Sequence, residues 1–110
     1  MQTSLVLVCL LMSGILITGC IAMSEADQWN QKGVAYYEKG NIQQASICFS
    51  RAYQLDTENS ETLYNLGTVY VANKDYSNAL WAFNRSIYYD LGNSAKAKSS
   101  RDALLRQGYK

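Results

Sequence analysis

The side chains of this 110-residue chain best suited to chemistry are three cysteines, at positions 9, 20 and 48, since a thiolate can act as nucleophile, metal ligand or disulfide partner. Their spacing supports none of these shared uses. There is no C-x-x-C pair and no ligand set at zinc spacing, so neither a metal site nor a disulfide framework is expected. The chain has no His, which removes the side chain that titrates nearest neutrality. No Cys/His pair and no Gly-rich phosphate loop of the Walker type is present, and the carboxylates are scattered rather than paired. A non-enzymatic protein without cofactor or metal is therefore expected. Cys48, one residue before Phe49, reads as a buried small hydrophobe. Cys20 stands apart, because two small residues, Thr18 and Gly19, precede it at the end of an apolar block.

That block, Leu5 to Ile17, has the 13-residue length of a signal-peptide core, for which roughly 7 to 15 is usual. Residues 1–24 carry no charge, while all 19 charged residues lie in the remaining 86. The junction Ile17-Thr18-Gly19-Cys20 resembles the lipobox of bacterial lipoproteins. The resemblance implies that Cys20 receives a diacylglycerol, that residues 1–19 are removed, and that further acylation, with palmitate among the chains, follows. Two or three chains give firm attachment at ~0.8 kcal/mol per buried CH₂. Ile21, where Asp would signal retention, implies an outer-membrane location facing the periplasm in a double-membrane host. Met1 to Ser4 lacks the usual Lys or Arg. An uncleaved anchor over residues 4–23, roughly long enough to cross a 30 Å core, and a plain secretory signal are the alternatives. All three place the remainder at or across a membrane.

The rest of the chain repeats itself. Gly33 and Gly67, Tyr36 and Tyr70, Ala45 and Ala79, and Phe49 and Phe83 are each 34 residues apart, as are Ile42 and Tyr76. Trp29 and Ala52 complete the first unit's pattern and Leu63 the second's. Leu63, Leu66 and Tyr70 recur at i, i+3 and i+7, and Tyr76, Ala79, Leu80, Phe83 and Ile87 share one face, so each unit reads as two amphipathic helices. Gly40-Asn41, Asp56 to Ser60 and Gly92 to Ser94 read as turns. Gly inside a helix costs ~1 kcal/mol against Ala, so Gly33 and Gly67 predict close helix approach, with Ala45 and Ala79 opposite them. Phe49 and Phe83 are expected to fill the seam between adjacent pairs.

Period and residue types together resemble the tetratricopeptide repeat. An all-α fold follows: a short helical solenoid of two helix-turn-helix repeats and a C-terminal capping helix. The implied division is a linker over 20–25, repeats over 26–59 and 60–93, and a cap over 94–110, in which Arg101 takes the place of the close-packing Gly. Two repeats fall below the three usual for stability, so a marginally stable or self-associating domain is expected.

The resemblance places a ligand groove on the first helix of each pair. It implies Asp27, Asn30, Val34, Tyr37, Glu61, Tyr64, Thr68 and Val71 on that wall, with Asn65 at its margin. Tyrosines at such positions supply rigid contact area with a polar tip, although packing between helices is the alternative use for them. A segment of another protein is the implied partner. The carboxylate-clamp variety does not fit, because Asn30 and Val34 occupy its first-unit positions. Net charge is +1, too small to steer nucleic acid, and no nucleic-acid partner is expected. Residues 94–110 carry five basic and one acidic side chain, suited to a polar helix end or to an anionic surface. The expected function is a membrane-tethered protein-interaction module of the bacterial envelope, a scaffold or assembly factor. The alternative is a fixed small subunit of a larger membrane complex.

Overall fold

A computed structural model describes residues 23–110, and the expected lipid site at Cys20, the cleavage after residue 19 and the anchor over 4–23 fall at least in part outside them. Among the described residues the chain is all helical: α1 Glu25–Glu38, α2 Ile42–Leu55, α3 Ser60–Ala72, α4 Tyr76–Tyr89 and α5 Ala95–Arg106. None of these helices is long and apolar enough to cross a membrane.

Each helix starts where a short polar side chain can take up a free backbone N–H. Ser24, Asn41, Asn59, Asp75 and Ser94 accept from the amides of Asp27, Gln44, Thr62, Asn78 and Ala97, at 3.0 to 3.4 Å. The first helix of each unit ends by one device repeated every 34 residues. Gly40, Lys74 and Gly108 adopt φ of 79°, 60° and 92°. The next amide in each case returns to the helix: Asn41 to the Tyr36 carbonyl at 2.9 Å, Asp75 to Tyr70 at 2.9 Å and Tyr109 to Leu104 at 3.2 Å. The third of these was not apparent from the residue types, because Tyr109 and Lys110 resemble neither earlier counterpart.

The short turns fold α2 back on α1 and α4 back on α3, and these two pairs make the closest packing in the fold. Gly33 and Gly67 are buried, but they face Phe49 and Phe83 rather than Ala45 and Ala79. A Cβ at Gly33 would stand 2.6 Å from Phe49 Cδ1, and one at Gly67 2.6 Å from Phe83 Cδ1. The glycines make room for the rings within each pair. The same rings also join neighbouring pairs: Phe49 clusters with Ala45, Leu66, Val69 and Ala82, and Phe83 with Ala79, Leu80, Ala97 and Leu104. Ala52 and Leu63 are fully buried; Trp29, Tyr36 and Tyr70 are half-buried at the edges of this core.

The two units differ at the seam between α3 and α4. Ser60 and Ser86 stand one repeat after Ala26 and Ala52, and they exchange hydrogen bonds. Ser86 Oγ donates to the Ser60 carbonyl at 2.8 Å and Ser60 Oγ to the Ser86 carbonyl at 3.0 Å. Both hydroxyls are satisfied, which removes the penalty of burying them in this otherwise apolar seam. The bonds fix the start of α3 beside the end of α4. Arg101, one repeat after Gly67, pairs with Asp102 at 3.0 Å. Tyr109 stacks on Tyr76, ring centroids 4.0 Å apart, and closes the far end of the α4–α5 packing.

Candidate functional site

The first helices of the units supply one wall. α1 packs on α3, and their register is set by a buried polar bridge. Asn30 Nδ2 donates to Thr62 Oγ1 at 2.7 Å, while Asn65 Nδ2 reaches Asn30 Oδ1 at 3.5 Å. One repeat later, Tyr64 and Lys96 occupy the places of Asn30 and Thr62. There the contact becomes a cation over a ring, with Lys96 Nζ 6.0 Å from the Tyr64 centroid.

A groove of about 700 Å³ opens along this wall. Val34, Tyr37, Tyr64 and Thr68, which the resemblance placed on this wall, line it, and the buried edge of Phe49 adds to its apolar surface. Tyr64 also lies against Phe83, with centroids 5.9 Å apart, so its ring serves both core and groove. Two expected contact residues have other work. Asn30 is only 2% exposed, and its amide is spent on Thr62, so it presents nothing to a ligand. Val71 packs against the α4–α5 cluster and is not part of the groove lining. Asn65 lines the groove but is buried, with its amide turned toward Asn30.

Glu61 lines the groove at a position the resemblance implied, and beside it stand residues that repeat position alone did not single out. Glu38 ends α1, Ser60 begins α3, and Asp90, Ser94 and Lys96 come from the end of α4 and the start of α5. Their signal lay in the turn sequences, where short polar residues serve as helix caps and leave adjacent charges on the rim. Among the described residues no group of three His, Cys, Asp or Glu is placed to hold a metal ion. Cys48 is 2% exposed, and burial pushes its thiol above the ordinary 9.0, outweighing the opposing pull of the Lys32 charge.

On the α2–α4 side, Tyr53 meets Trp81 edge-on with centroids 6.2 Å apart. Arg85 lies 5.7 Å from the Trp81 centroid, and its Nη2 donates to Tyr89 Oη at 2.9 Å. Tyr88 and Leu91 are 73% and 88% exposed.

Comparison with known proteins agrees with this geometry. A family described as TPR repeat matches residues 33–74, and one described as tetratricopeptide repeat matches residues 60–93. Residues 33–93 thus carry tetratricopeptide repeats, which serve in general as non-enzymatic protein-interaction modules. A stretch of 63 residues is 32% identical to the NADPH oxidase activator of Dictyostelium discoideum. That match spans 57% of this chain and 10% of that protein.

Proposed function

We propose that this chain is a membrane-tethered, non-enzymatic interaction module of the bacterial envelope, holding a segment of another protein in the α1–α3 groove as a scaffold or assembly factor. The observation that carries the reading is the groove itself: half-buried Tyr37 and Tyr64 beside Val34 and Phe49 offer apolar area with polar tips. The tether rests on the charge-free segment 1–24 and the Thr18-Gly19-Cys20 junction. Lipid on Cys20 places the module on a membrane, in a double-membrane host the outer membrane facing the periplasm. Similarity to the NADPH oxidase activator covers a tenth of that protein and supports a shared repeat rather than a shared partner.

Purification from detergent-solubilised native membranes tests this reading. Wild-type protein is expected to bring down a partner that Val34→Arg and Tyr64→Ala both lose; a partner retained by both variants contradicts the groove. Cys20→Ala is expected to lose a lipid-sized mass and leave the membrane, and unchanged mass and retention would refute the lipobox reading. Exposed Trp81, Tyr88 and Leu91 favour a second reading, a fixed subunit of a larger complex, because they offer apolar surface away from the groove. Stoichiometric, salt-resistant co-purification that survives the groove variants supports that version.

A further inference from the structure

The groove is charged at both ends and apolar between them. Glu38 is the last residue of α1, and Glu61 lies in the first turn of α3. Because α1 and α3 run in the same direction, these two carboxylates lie at opposite ends. The Asn30 bridge fixes their separation. Asn30 is level with Thr62 and Asn65, so Glu61 lies just before that level and Glu38 eight residues beyond it. At 1.5 Å per helical residue the two ends are about 16 Å apart along the helix axes. Asp90 joins the Glu61 end, since the Ser60–Ser86 bonds hold the close of α4 beside the start of α3. Val34, Tyr37, Phe49 and Tyr64 lie between the ends. One cation, Lys96, lines the groove, and the face of Tyr64 holds it.

We propose, building on the groove reading above, that the partner segment is an extended stretch of another protein carrying two Lys or Arg residues on either side of an apolar centre. Charge complementarity carries this assignment: three carboxylates stand against one ammonium, which repels an acidic segment and attracts a basic one. A separation of about 16 Å equals about five residues of extended chain at 3.3 Å each. An extended segment reaches both ends with about five residues, where a helix needs about eleven. Lys96 shares the Glu61–Asp90 end and competes with the ligand's cation there.

Panning a phage-displayed decapeptide library on the full chain in detergent, then measuring affinities by fluorescence anisotropy, tests the proposal. Enriched peptides are expected to carry Lys or Arg about five residues apart around Leu or aromatic residues. Glu38→Gln and Glu61→Gln should each weaken them by roughly two- to fivefold at low salt, less at high salt. Lys96→Gln should tighten them, and Tyr88→Ala should leave them unchanged. Peptides that need Tyr64 and Val34 yet are acidic or neutral, or that ignore Glu38→Gln and Glu61→Gln, would overturn the charge assignment alone. Binding indifferent to Tyr64→Ala and Val34→Arg, or no enrichment, would overturn the groove reading and this inference with it.

Discussion

Phe83 covers the backbone of Gly67 so closely that an added methyl group would stand 2.6 Å from its Cδ1, and Phe49 stands in the same relation to Gly33. Overpacking of this kind costs about 1–3 kcal/mol, because the ring is itself held by Ala79, Ala97 and Leu104. Gly67→Ala should lower the unfolding free energy from urea titration by that amount. The loss should shrink in a Phe83→Leu background, where the smaller side chain yields space, and an equal loss in both backgrounds would mean the ring is not what the methyl meets.

Asn30 depends on Thr62 for its buried amide hydrogen bond. Thr62→Val keeps the shape and removes the acceptor, leaving a buried donor unpaired at a cost of about 1–3 kcal/mol. Thr62→Ser should recover most of that stability in denaturant titrations. If Thr62→Val unfolds at the wild-type midpoint, the bridge does not stabilise the α1–α3 contact.

The helices and their order were legible from spacing alone, because the 34-residue recurrence of Gly, Tyr, Ala and Phe coincides with the packing of each ring onto a glycine. The groove was legible only in part. Val34, Tyr37, Tyr64 and Thr68 followed from their repeat positions, but Asn30 did not, since the same position carries Tyr64 in the next unit and only the neighbouring Thr62 draws Asn30 inward. Glu38, Asp90 and Lys96 escaped because their place on the rim depends on how one unit's end meets the next unit's start.

Lys74 holds a left-handed backbone, φ 60°, where Gly40 and Gly108 stand in the flanking turns. A side chain there is disfavoured by about 1–2 kcal/mol, part of which Gly gives back through its greater unfolded-state freedom. Lys74→Gly should therefore stabilise the protein by about 0.5–1 kcal/mol in thermal or urea unfolding. Destabilisation would show that the Lys74 side chain makes a contact worth more than the backbone strain.

Cys48 should resist thiol reagents in the folded protein at pH 7 to 8 and react at an ordinary rate in denaturant, as mapped by mass spectrometry of its peptide. Burial and a pKa raised above 9.0 both withhold the thiolate. The folded pKa is the higher one, so this group's stabilisation is complete below pH 9 and is lost as pH rises through the folded value. Rapid labelling of the native protein would contradict the packing of α2.

The account centres on the α1–α3 groove as the surface that meets a partner. Site-specific photo-crosslinking in native membranes tests this most directly, with p-benzoylphenylalanine placed at Tyr37, at Tyr64 and, as a control, at the exposed Tyr88. The account predicts one crosslinked protein shared by the Tyr37 and Tyr64 positions and absent from Tyr88. A crosslink formed from Tyr88 while both groove positions stay silent would contradict it.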